Sequence, residues 1–153
     1  MYNKGKSMDI KDAIQLTNKI FIYKSDASYY LLPETWRVVG ADGKGDCEDH
    51  QLTVIWYYSN GNWFKWIWNV HFGPFRLWFC ASPSGDGHLV TEVKSGVYKG
   101  MFFDNISKKL ITRTQLDNAG YKLKMRHYFP LTAIKILIGY TLGSLGRFIR
   151  KRR

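Results

Sequence analysis

The sequence predicts an α+β domain, and three observations carry that expectation. Ile10, Ala13, Ile14, Leu16, Thr17 and Ile20 recur at near-helical spacing. A glycine-rich loop ends in Asp46 and runs into an apolar stretch at 52–58, which reads as the start of a second helix. Beyond Pro74 the chain changes to short alternating runs typical of half-buried strands. Helices followed by strands imply helices stacked on an antiparallel sheet. A chain of 153 residues is one domain's worth, and its 16% aromatic content supplies bulky core filling.

Taken in order, residues 7 to 21 form a core-packing helix capped by Ser7 or Asp9. Residues 22 to 45, with Pro33 and several glycines, read as a loop. Asp46 then acts as N-cap, with Asp49 closing a capping-box-like turn, and the helix stops near Ser59-Asn60-Gly61-Asn62. Asn62 to Phe72 fits either a helix or a strand, and Gly73-Pro74 ends it. Strands are expected at about 75–81, 88–94, 98–104 and 120–129. Lys94-Ser95-Gly96 is a hairpin signal. With a loop of residues 95 to 97, Lys94 faces Tyr98 and, counting outward, His88 faces Asp104. A loop one residue shorter puts Phe103 opposite His88 and turns Asp104 to the other face.

The chemistry is suggested by where Cys47 falls. In the first turn of a helix a thiol feels the positive end of the macrodipole, which favours the thiolate. Asp46, Glu48 and Asp49 oppose this by like charge, so something must offset them. A cysteine nucleophile also needs a base and an orienter for that base. Among the histidines, His88 has the best context, and the hairpin count supplies Asp104. Read singly, each has a bland role: Cys47 as a buried small residue, His88 at a strand edge, Asp104 in a turn, and the acids as helix caps.

Trp36, the Gly-Lys-Gly-Asp-Cys-Glu-Asp block at 43–49, Arg76-Leu77, Gly87-His88-Leu89-Val90 and Phe103-Asp104-Asn105 together resemble the bacterial transglutaminase-like cysteine proteinases. That family is in the transglutaminase branch of the papain-like enzymes and has small bacteriophage-encoded members. The resemblance spans about residues 30 to 107. It implies a papain-like/transglutaminase-like core with the nucleophile at a helix N-terminus, Cys47 as nucleophile, His88 as base and Asp104 as orienter. It also implies calcium at Asp46 and Glu48. The implied activity is that of a peptidase or amidase working on a peptide or protein through a thioester acyl-enzyme, with no cofactor needed for the chemistry. Acyl transfer to an amine would use the same triad. A third reading keeps the fold as a non-catalytic structural or binding component, for example of a phage particle. The chain departs from the family at His50, where an aromatic residue is common, and in the aromatic stretch 56–72.

The net charge of +11 implies attraction to polyanions, such as nucleic acid, anionic lipid or an acidic protein surface. No specific nucleic-acid motif, zinc spacing, phosphate-cradling glycine loop or internal repeat accompanies it. Two cysteines make no disulfide framework, and Cys80 reads as a buried strand residue. The start of the chain has no apolar core for a signal peptide, so host cytoplasm or virion is the expected location. The division expected is a peptidase domain at 1–129 and an amphipathic basic segment at 130–153 ending in Arg150-Lys151-Arg152-Arg153. That segment's apolar stretch is about 16 residues, short of the roughly 20 of a membrane span. It is either a helix packed on the domain or a docking element for a membrane, virion or other anionic surface. The docking reading makes it dispensable for the chemistry.

Overall fold

In the computed structural model, residues 8–25 and 36–150 are described, the side chains of 142–150 excepted. The order is α1 (Ile10–Ile20), β1 (Ile22–Tyr23), β2 (Lys44–Gly45), α2 (Cys47–Tyr58), α3 (Trp63–His71), β3 (Phe75–Ala81), β4 (Gly87–Val93), β5 (Phe102–Phe103), α4 (Arg113–Asn118), β6 (Lys122–Arg126) and α5 (Phe129–Arg150). The fold class is α+β as expected: β5-β4-β3-β6 form an antiparallel sheet with helices on it.

Asp9 caps α1 by accepting the Lys11 N–H at 2.8 Å. The α1 face formed by Ile10, Ala13, Ile14 and Thr17 is buried against α2. Every residue of α2 from Glu48 to Ile55 is buried, so its sequence shows no apolar stripe: a central helix has no solvent face. Asn62 caps α3 through the Lys65 N–H, which settles the helix-or-strand question for 62–72 in favour of a helix. Trp66 Nε1 donates to the Leu52 carbonyl at 2.9 Å and pins α3 to α2.

The sheet separates two cores. Phe75, Leu77, Leu89, Val93 and Phe103 join Leu52, Val54, Ile55 and Trp66 beneath the helices. Cys80, Val90 and Phe102 pack with Ile111, Leu116 and Tyr121 on the other face. α5 lies on the first core through Ile136 and Thr132. Its Tyr140 ring stands edge-on to Trp63, and a Cβ at Gly139 would fall on the Trp36 backbone. Among the described residues, no helix is long and apolar enough to cross a membrane.

Several local expectations are corrected. The start of the 22–45 loop is not irregular: β1 pairs in parallel with β2, Ile22 with Lys44 and Tyr23 with Gly45. Pairing brings Gly43 so close to the Ile20 carbonyl, at φ +68°, that no side chain fits. Residues 26–35 of that loop, Ser7, and the final three residues lie outside the described part. Asp46 is the N-cap of α2 but its side chain makes no capping bond. The Asp49 carboxylate instead accepts the Arg37 N–H at 2.9 Å and faces the Arg37 guanidinium at 3.7 Å, both residues being buried.

The strand expected at 98–104 shrinks to Phe102–Phe103, and the one at 120–129 to Lys122–Arg126. The β4–β5 register is Thr91 with Phe103 and Glu92 with Phe102. The connection is longer than a tight hairpin because two glycines, Gly96 and Gly100, both sit at φ +81° and close successive turns, Lys99 N–H to Gly96 O and Met101 N–H to Tyr98 O. Asp104 therefore comes level with Val90 instead of facing His88. The shift is by an even number of residues, so His88 and Asp104 stay on one face as diagonal neighbours.

Candidate active site

Cys47 opens α2, as its sequence context predicts, yet its surroundings hold the proton on. Burial is the largest cause, and the Glu48 carboxylate comes next; together with Asp46 they push the thiol far above its ordinary range. The Cys47 Sγ–H donates to Glu48 Oε2 at 2.9 Å. Only the Leu89 backbone N–H, directed at the sulfur, works the other way. Tyr23 marks the rim of the same acid cluster: burial first, then Cys47, Asp46, Glu48 and Asp86, raise its phenol.

His88 opens β4, and its Nε2 lies 2.8 Å from Asp104 Oδ2. Asp104 is 1% exposed and held from three sides. The Ser107 N–H, three residues on, donates to Oδ1 at 2.7 Å, and the Tyr121 hydroxyl donates to Oδ2 at 2.7 Å. Burial works to raise the Asp104 pKa, but the hydrogen bonds from His88, Ser107 and Tyr121 outweigh it and hold the carboxyl below its usual range. The carboxylate is thus a fixed anion that occupies Nε2 and leaves Nδ1 without a hydrogen-bond partner among the described residues.

Of the residues expected in the site, His88 and Asp104 are brought into direct contact. Cys47 is set beside Leu89, the strand residue after His88, but its hydrogen bond runs to Glu48 and none joins it to the imidazole. Two contributors had not been expected. Gln51 lies one helical turn after Cys47; its Nε2 donates to the Leu89 carbonyl at 3.3 Å and its Oε1 accepts from Thr91 at 3.0 Å, which ties the nucleophile helix to the histidine strand. The i, i+4 step from Cys47 was a readable signal for it. Tyr121 had none, since it reaches Asp104 only after an intervening helix.

His50 packs as a ring against Phe21 and also makes a polar link. It is fully buried, edge-on to Phe21 at 4.9 Å, and burial pushes its pKa down to about 4, so the ring is neutral. Its Nε2 pairs with Asn18 Oδ1, and Asn18 Nδ2 donates to the Lys108 carbonyl at 2.8 Å. α1 thereby holds the loop that carries Asp104. Trp36 is buried against His127 at 4.8 Å, which makes it part of the core wall.

For calcium, Asp46 and Glu48 supply two carboxylates, and one oxygen of Glu48 is engaged with the thiol. Among the described residues, no cluster of three or more His, Cys, Asp or Glu side chains forms that could hold a metal ion. Two carboxylates are few for a cation that takes about six to eight oxygens.

No protein-family model and no curated protein sequence matches the chain. Among solved structures it is similar to Legionella pneumophila LapG (EGTA-treated), with a TM-score of 0.53 and 16% sequence identity over 79% of this chain. The two share a fold. The chain spans 62% of the length of LapG, and the likeness lies in the arrangement of helices on an antiparallel sheet, not in sequence.

Proposed function

We propose that the chain is a cysteine hydrolase, a peptidase or amidase, with Cys47 as nucleophile, His88 as base and Asp104 as orienter. The observation that carries this reading is the 2.8 Å bond between His88 Nε2 and a triply anchored Asp104, because it leaves Nδ1 as the ring nitrogen able to exchange a proton. The cysteine at the start of α2 and the fold shared with LapG support it further. Nδ1 takes the thiol proton, the thiolate attacks the carbonyl carbon, and the Cys47 backbone N–H faces the developing oxyanion. The imidazolium returns the proton to the leaving amine, giving a thioester. His88 then deprotonates water, which attacks the thioester and frees the acid and the thiol.

One observation favours the second reading, a fold kept as a non-catalytic binding or virion component: the thiol donates to Glu48 and is held protonated. Labelling with a thiol-directed acyl-site probe separates the two. Labelling of Cys47 that is lost in His88→Ala supports the hydrolase, and labelling confined to Cys80, or equal in wild type and His88→Ala, overturns it. Glu48→Gln removes the negative charge that helps raise the thiol pKa, so it should speed alkylation of Cys47. Calcium at Asp46 and Glu48 remains a proposal with its own test, and no step is routed through it. Calorimetric binding that is abolished in the double variant Asp46→Asn and Glu48→Gln would support it; absence of heat, with thiol reactivity unchanged by chelator, would end it. Acyl transfer would appear as an amine-linked product from the same thioester.

A further inference from the structure

At the far end of the β3–β4 ladder from His88, the chain gathers cations around a cavity of about 230 Å³. Arg76 of β3, Lys94 just past β4 and Arg126 at the end of β6 all line it. The register puts them on one face of the sheet: Arg76 is opposite Glu92, two residues before Lys94, and Trp78 is opposite Arg126. Glu92 is the carboxylate among them; it faces Arg76 at 3.4 Å and accepts Trp78 Nε1 at 2.8 Å. Lys94 is left among like charges: burial first, then Arg76 and Arg126, lower its pKa. β6 ends at Arg126, and after the bond from His127 N–H to Leu77 O the edge of β3 is flanked by the start of α5. The cavity is small beside the roughly 300–1,000 Å³ of sites for drug-sized ligands, and it suits one compact anionic group.

Beside this cavity stands a ridge of aromatic rings that the fold leaves in water. Phe64 and Trp68 of α3 and Phe72, its C-cap, follow one another at four-residue steps and are 84%, 62% and 52% exposed. Trp68 lies 5.3 Å from Phe72, and Phe72 lies 5.0 Å from Phe129, which is itself a lining residue of the cavity. Trp68, Phe72 and Phe129 contact one another yet stay exposed, and with Phe64 one turn before Trp68 they form an apolar surface that a monomer in water does not gain from. Aromatic side chains beside cations are the composition of surfaces that sit at a membrane interface, with rings at headgroup depth and cations on phosphates.

We propose that the Phe64, Trp68, Phe72 and Phe129 ridge and the cavity beside it form a docking face for an anionic phospholipid bilayer, with a lipid phosphate entering between Arg76, Lys94 and Arg126. The two halves act together: the rings insert, and the cations find the counter-charge that Glu92 alone does not supply. This face uses neither the basic terminal run nor the Cys47 site, so it stands whether or not the chain is a hydrolase.

The test uses the full chain and vesicles of phosphatidylcholine with and without phosphatidic acid. Binding to the anionic vesicles, a blue shift of tryptophan emission on binding, and a weakening as salt rises are expected. Lys94→Gln and Arg126→Gln should each lower partitioning about fivefold, and Phe64→Ser with Trp68→Ser about tenfold or more. Both pairs are surface changes, and circular dichroism with thermal unfolding checks that the fold is kept; should Trp68→Ser unfold the chain, Phe64→Ser and the two charge variants carry the test. Partitioning that is unchanged in these variants would overturn the proposal and assign binding to the basic tail. Binding of inorganic phosphate or DNA in the cavity without attachment to anionic vesicles would overturn it as well.

Discussion

The two ends of the β3–β4 ladder are electrostatic opposites. Where Cys80 pairs with His88, the neighbourhood holds Cys47, Asp46, Glu48, Asp86 and Asp104. Where Arg76 pairs with Glu92, the surroundings are Lys94 and Arg126. The pairs are only four positions apart along β3, about 13 Å of strand. A net charge of +11 therefore describes neither place. In the acid end burial and carboxylates hold a thiol protonated; in the basic end burial and like charge press a lysine toward neutrality. Among the described residues each end carries an excess of one sign, and the chemistry proposed for each would offset it: an imidazolium beside the thiolate, and a phosphate among the cations.

The largest test of their independence is His88→Ala. Hydrolysis or probe labelling should fall by about 10²–10⁴-fold, the usual worth of a general base, while vesicle partitioning stays at the wild-type value. A parallel loss of both would mean that the ends are coupled or that the fold has failed.

Acid should dissolve the acid end first. Unfolded, His50 takes up a proton below pH 6.5, whereas the buried ring stays neutral down to about 4. Its contribution is complete above pH 6.5 and is lost as pH falls from 6.5 to 4, by roughly 3 kcal/mol in all. Chemical denaturation across that window checks the slope, and His50→Phe should flatten it. Asp104 adds a lower limb, since its stabilising ionisation is lost as the carboxyl takes up protons below its ordinary range.

Tyr121→Phe removes the hydroxyl from a buried carboxylate and should cost about 1.5–3 kcal/mol. It should also move the Asp104 limb to higher pH, a shift that a merely cavity-filling tyrosine would not cause. Gly139→Ala tests the other side of the molecule, because the added methyl meets Trp36 backbone and not a movable side chain. A loss of about 1–3 kcal/mol is expected, with α5 lifting from its seat and Cys47 reactivity changing less than stability.

Much of this was legible beforehand where the signal is local. The glycine loop with Asp46 located the start of α2, alternation located β3 and β4, and the order of Cys47, His88 and Asp104 named the candidate site. The hairpin register was not legible, because it depended on how many turns Gly96 and Gly100 would close between the strands. The helix state of 63–71 hung on the Asn62 cap, and β1 on a partner more than twenty residues away at Lys44.

What the sequence by itself determined was the set of elements and the chemical inventory, since periodicity, caps and residue types act over a few residues. Tertiary structure alone decided the charge states and pairings: Asp49 turned from a cap to Arg37, Cys47 turned to Glu48, and Tyr121 came to Asp104. It also brought Arg76 of β3, Lys94 just past β4 and Arg126 of β6 to one cavity. The reason is that a pKa or an ion pair depends on burial and on neighbours distant in the chain, and these exist only after the sheet has closed on the helices.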